Sequence, residues 1–167
     1  MKPIGSINRR KGHNAERYCR KEFIELGFED CITSRMGSKY YDDSKIDLMN
    51  LPINVQVKAG FQRNINPAKV LLEMEEAISK SKLPKEEKNK VSVLIFIKQV
   101  GPGNKRKIED ELVYMWSNVF DYFRNEFPYL YSHKIAEYKK TKIAIGIPFY
   151  HFKQIILKFY KNEQTNI

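Results

Sequence analysis

Asp47-Leu48-Met49-Asn50-Leu51-Pro52-Ile53-Asn54-Val55-Gln56-Val57-Lys58 is the stretch from which the fold can be read. Two short apolar segments flank Leu51-Pro52, where proline favours a turn. Side chains on a strand point to opposite faces in turn, so Val55 and Val57 face one way and Gln56 and Lys58 the other. Asp47, between Ile46 and Leu48, reads with the same alternation. An acid, an amide and an ammonium are thus expected to converge on one rim of a sheet, and that rim is the candidate site.

The elements around it follow from periodicity and punctuation. Upstream, Ala15, Cys19, Phe23 and Leu26 recur at helical spacing and predict a helix over residues 12–27, closed by Gly27 as a C-cap. Glu16 lies roughly 100° from Ala15 on the wheel and borders the buried stripe. Residues 28–34 read as a first strand, 35–44 as a loop, and 45–50 and 53–59 as two further strands. Asn66-Pro67 is an N-cap followed by proline in the first turn, starting a helix whose apolar face is Val70, Leu71, Met74, Ala77 and Ile78. A charged loop over 82–90 leads into Val91 to Ile97, a run with the character of a buried strand. Gly101-Pro102-Gly103 is a turn, Leu112 to Trp116 a strand, and Val119 to Phe123 a short helix. Lys142 to Ile147 reads as an edge strand and Phe149 to Tyr160 as an amphipathic helix with Phe152, Ile155, Ile156 and Phe159 on its packing face. The order helix, three strands, helix, strand predicts an α/β fold with a mixed central β-sheet flanked by helices.

At 167 residues the chain is expected to form one domain with a substantial core. Hydrophobic residues at 42% and aromatics at 13% exclude wholesale disorder. No apolar run is long enough to span a bilayer, and Met1-Lys2-Pro3-Ile4-Gly5 lacks the apolar stretch of a signal peptide, so a soluble, cytoplasmic protein is expected. The charge of +10 calls for a polyanionic partner, nucleic acid ahead of a membrane surface. Lys2, Arg9, Arg10, Lys11, Arg17, Arg20 and Lys21 stand against Glu16 alone, a concentration of like charge that phosphates would neutralise. Cys19 and Cys31 have no Cys-x-x-Cys pattern and read as reduced core residues. His13, His133 and His151 are scattered, and only His13, three residues before Glu16, lies near the candidate site.

Asn8-Arg9-Arg10-Lys11-Gly12-His13-Asn14-Ala15-Glu16-Arg17 is similar to the opening basic-Lys-Gly-x-x-x-Glu motif of the archaeal-type Holliday junction resolvases, within the PD-(D/E)XK nuclease superfamily. Asp47 falls where that family has a metal-binding aspartate, and Gln56-Val57-Lys58 falls on its Glu-x-Lys strand. The resemblance covers about residues 8–125 and leaves 126–167 as a C-terminal extension to a single nuclease domain with a restriction-endonuclease-like αβββαβ core. It implies an Mg²⁺-dependent endodeoxyribonuclease, with Mn²⁺ able to substitute, that resolves four-way junctions as a homodimer. Glu16, Asp47, the Val57 carbonyl and Gln56 would then hold metal, Lys58 would act on the water and the developing charge, and Arg9, Arg10, Lys11, Arg17, Ser34 and Arg35 would contact DNA. Gln56 stands where the family carries an acid, which lowers the expected metal affinity; Asp42 or Asp43 is a possible source of the missing charge. An endonuclease acting on duplex, flap or mismatched DNA, and a non-catalytic DNA-binding protein on the same scaffold, are the alternatives.

Overall fold

The computed structural model of the chain describes residues 4–37, 39–60, 65–100 and 107–161. The expected turn at Gly101-Pro102-Gly103 and the charge at Lys2 lie outside the described residues.

The first helix, α1 (Ile4–Glu25), begins a full two turns before residue 12 and ends on the expected glycine. Gly27 takes φ 90°, its amide donates to the Ile24 carbonyl, and the Phe28 amide donates to the Phe23 carbonyl. These two bonds are a Schellman closure, and its customary apolar contact is supplied by the Phe23 and Phe28 rings at 6.2 Å. Ala15, Cys19 and Phe23 are buried on the helix's inner face. Fully burying a side chain such as Phe23 contributes roughly 1.5–3 kcal/mol.

Strands β1 (Ile32–Thr33) and β2 (Leu48–Met49) are far shorter than the spans read from the sequence. Between them, the expected loop is built from two short helices, α2 (Ser34–Gly37) and α3 (Lys39–Asp43). Strand β3 (Asn54–Gly60) matches the strand read over residues 53–59. Helix α4 (Pro67–Lys80) starts where Asn66 accepts the Lys69 amide with its side chain, with proline in the first turn as expected. A single turn, α5 (Lys85–Lys88), interrupts the charged loop before β4 (Ser92–Val100). Next come β5 (Lys107–Trp116) and α6 (Ser117–Glu126), both longer than predicted. Strands β6 (Lys134–Tyr138) and β7 (Lys142–Pro148) precede α7 (Phe149–Ile156), which continues as a π-helical turn through Leu157–Lys161.

The seven strands form one mixed sheet in the order β1-β2-β3-β4-β5-β7-β6. Among the described residues only β3 and β4 run parallel, and α4 lies in the crossover between them. Lys142 to Ile147, expected at the edge, lies instead between β5 and β6, and β6 forms that edge. Val55, Val57, Val93, Ile95, Val113 and Ile147 face α1, α6 and α7 on one side of the sheet. Leu94, Phe96, Leu112 and Tyr114 face Ala68 and Leu71 of α4 on the other. The apolar face of α7, with Phe149, Phe152, Ile155 and Ile156 buried, is spent on the chain's own core. Among the described residues no helix is long and apolar enough to cross a membrane.

Candidate active site

Strand β3 sorts its side chains as alternation requires. Val55 and Val57 enter the core beneath α1, while Gln56 and Lys58, opposite Leu94 and Phe96 on β4, take the α4 face. At Asp47 the expected alternation fails. Ile46 packs with Met74 and Ile78 on the α4 side, whereas Leu48 joins the core on the α1 side, so the chain changes face between them. Asp47 therefore aims along the sheet edge. Its amide donates to the Val55 carbonyl at 2.8 Å, and its Oδ2 accepts the Val57 amide at 2.7 Å. These two bonds bracket Gln56 and replace the next rung of a β2–β3 ladder that is only two residues deep on β2. Since the N–H and C=O of an extended residue point to the same side, the Val57 carbonyl also faces this edge.

Burial pushes the Asp47 carboxyl up from its ordinary 3.8 to about 6, against the lowering effect of the Val57 amide. The nearby Glu16 carboxylate raises it further, while Lys58 and Arg35 lower it. Glu16, Lys58 and Arg35, drawn from α1, β3 and α2, thus all act on Asp47 at the approach to β2. Glu16, on a helix face bordering the core as its wheel position implied, is only 5% exposed. Arg35 forks onto it, with Nε 3.2 Å from Oε2 and Nη2 3.5 Å from Oε1. The two partners are unequally placed: the Glu16 side chain is 7% exposed and that of Arg35 46%.

A cleft of about 300 Å³ opens beside this pair, lined by His13, Glu16, Arg17, Arg20, Thr33, Arg35 and Met36. Four of its residues, His13, Glu16, Arg17 and Arg20, recur at i, i+3, i+4 and i+7, so a polar helical stripe in the sequence already marked the wall. Arg20 is held in place by its Nε donating to the Cys31 carbonyl at 2.8 Å. His13 Nε2 is buried, with no hydrogen-bond partner among the described residues.

The remaining expected residues divide between surface and core. Arg10 and Arg17 are exposed and Lys11 is half-buried on α1; Arg9 lies on the same helix, its side chain outside the described residues. Ser34 is buried, and its amide donates to the Asp47 carbonyl at 2.9 Å, fixing α2 against the site. Asp42 and Asp43 are exposed on α3.

Among the described residues no three His, Cys, Asp or Glu side chains cluster as a metal-holding group. The candidate donors are the Glu16 and Asp47 carboxylates, the Val57 carbonyl and, from the α4 face of β3, the Gln56 amide oxygen. All are hard oxygens, and Mg²⁺ is commonly held by one or two carboxylates with substrate phosphate and water completing its shell. Gln56 Oε1, in a residue only 4% exposed, is buried with no hydrogen-bond partner among the described residues, an acceptor whose need a cation or water would meet. The Glu16 carboxylate raises the Asp47 pKa, a repulsion that a cation between them would relieve. The residues present fit a divalent ion of this kind.

A second cleft, about 430 Å³, lies between Phe127–Leu130 and His151–Lys158, far along the chain from these groups and without an acid pair. No protein-family model, curated protein or solved structure matches the chain.

Proposed function

We propose that the protein is an Mg²⁺-dependent, structure-selective DNA endonuclease that hydrolyses phosphodiester bonds, with four-way junctions as its substrate. The observation that carries this reading is the gathering of Glu16, Asp47 and Lys58 around one sheet edge beside an arginine-lined cleft. The sequence resemblance described above names the same residues. A divalent ion held by Glu16, Asp47, the Val57 carbonyl and Gln56 would supply Lewis acidity toward the phosphate and bring the pKa of water toward neutrality.

The chain's own groups do the rest. Asp47, fastened by the Val57 amide, keeps one carboxylate oxygen in a fixed place and spares the site reorganisation. Lys58, one residue further along β3, presents an ammonium to orient the attacking water and offset charge developing on the phosphoryl oxygens. Arg10, Lys11 and Arg17, with Arg9, lie along α1 to grip the phosphates on either side. A homodimer would present two such edges to the two opposed strands of a junction, matching a two-fold substrate.

Gln56 favours a second reading, a DNA-binding protein on the same scaffold whose hydrolytic site has lapsed, because a neutral amide stands where an acid would complete the donor set. Cleavage of a four-way junction, a linear duplex and a flap in Mg²⁺ and in Mn²⁺ separates these readings. Paired cuts in the junction support the proposal, and cutting confined to duplex or flap moves the substrate. Tight binding with no cleavage in either metal leaves the binding protein.

A further inference from the structure

Resting on the nuclease reading, we infer that Arg35 is an exchangeable counter-ion that couples anion binding in the arginine-lined cleft to metal binding at Glu16. The geometry has three parts. Glu16 is a nearly buried carboxylate satisfied by a half-exposed guanidinium at 3.2 Å and 3.5 Å. The same guanidinium borders the cleft, where Arg17 and Arg20 add two positive charges and Glu16 is the sole acid among the described lining residues. Finally, His13 Nε2 is buried on that cleft's wall with no partner among the described residues, leaving one polar position unsatisfied.

A guanidinium and a divalent cation compete for the same carboxylate oxygens. While Arg35 forks onto Glu16, the acid is neutralised and its oxygens are occupied. A tetrahedral oxyanion entering the cleft, singly charged in a backbone phosphodiester and doubly charged in sulfate, offers Arg35 a second bidentate partner that Arg17 and Arg20 help to hold. Arg35 turns to the anion, Glu16 loses its counter-ion, and the site gains a full negative charge beside Asp47 at the moment a cation is needed. In nucleic acid the oxyanion is the phosphate next to the one hydrolysed. The site would thus take up metal mainly when substrate is in place. Linkage makes the effect reciprocal: the anion tightens metal, and metal tightens the anion, by the same factor.

The experiment is calorimetric titration of Mn²⁺ into the full chain, in sodium chloride and in sodium sulfate at equal ionic strength, for the wild type, Arg35→Gln and Arg35→Lys. Sulfate is expected to tighten Mn²⁺ binding by the wild type at least about fivefold, the low end of ordinary couplings. Arg35→Gln is expected to bind Mn²⁺ tighter than wild type in chloride and to show no response to sulfate. Arg35→Lys, which keeps charge without the fork, should respond weakly. Far-UV circular dichroism verifies that each variant is folded, which the exposure of Arg35 favours.

A wild type indifferent to sulfate, or an Arg35→Gln protein with weaker Mn²⁺ binding that still responds, overturns the inference. Absence of Mn²⁺ binding in every condition overturns both the inference and the nuclease reading. Coupling without any DNA cleavage overturns only the nuclease reading. A parallel polarisation assay on a short DNA duplex in Ca²⁺ identifies the source of the oxyanion. Competition by sulfate that Arg35→Gln abolishes assigns the cleft to a backbone phosphate, and duplex binding untouched by either assigns it to a free oxyanion.

Discussion

Replacing Asp47 by asparagine should stabilise the protein while disabling its site. The carboxyl sits at about 6 in the fold against an ordinary 3.8, so the folded chain holds that proton about 3 kcal/mol more tightly than the unfolded chain does. The sign follows directly. The contribution is fully favourable below 3.8 and is lost as pH rises through about 6, so at pH 7 the ionised group weighs against folding. Asparagine keeps an oxygen to accept the Val57 amide and never ionises. Its amide nitrogen requires an acceptor of its own, which trims the expected gain at pH 7 to about 2 kcal/mol, or about 4–8 °C in Tm for a chain of this size. Thermal unfolding at pH 7 and at pH 4 provides the assay, with the advantage shrinking toward zero at the lower pH. Saturating Mg²⁺ should also close the gap at pH 7, because ligand at a hundred times its Kd stabilises the wild type by about 2.7 kcal/mol and asparagine forfeits most of that binding. A variant less stable than wild type at pH 7, or a gap that does not change with pH, would refute the electrostatic account of Asp47.

Other outcomes follow from the same geometry. Lys58→Ala should abolish cleavage and leave junction binding nearly unchanged; cutting at the wild-type rate would remove Lys58 from the reaction. Neutralising Arg9 and Arg10 together should flatten the salt dependence of DNA binding by about 1.8 in log-log slope, at about 0.9 per phosphate contact. An unchanged slope would release α1 from the phosphate clamp. Gly146→Ala should cost about 1–3 kcal/mol in denaturant unfolding, since a Cβ there would come within 2.7–3.1 Å of the buried Tyr114 ring. Finally, burial pushes the Cys31 thiol up to about 11 and Cys19 well above its usual range, so neither should react with a thiol reagent until the chain unfolds.

The fold was legible where local chemistry and tertiary packing agree. Gly27 ends α1 because the Schellman closure requires a left-handed residue there, and Asn66-Pro67 starts α4 because cap and proline act on the same turn. The β3 alternation held because both of its faces are covered. Strand β6 escaped notice for the opposite reason. Lys134-Ile135-Ala136-Glu137-Tyr138 covers little, Ile135 being 69% exposed, and its strand conformation comes from pairing with β7. The short helices α2 and α3 bury almost nothing but Ser34, so no periodicity marked them.

At the site, Glu16 and Lys58 could be placed from helix and strand geometry alone. Asp47 could be named but not aimed, because the change of face between Ile46 and Leu48 arises from what each packs against across the sheet. Arg35 was noticed as a phosphate contact. Its bond to Glu16 joins residues nineteen positions apart through the fold of α2, and no local pattern carries that information.

Anomalous diffraction from a crystal of the protein soaked in Mn²⁺ decides whether Glu16 and Asp47 share a metal. A peak is expected within about 2.0–2.3 Å of carboxylate oxygens of both Glu16 and Asp47, with Gln56 Oε1 or the Val57 carbonyl beside it and Arg35 withdrawn from Glu16. Manganese bound elsewhere, with the Arg35–Glu16 pair intact at this edge, would contradict it.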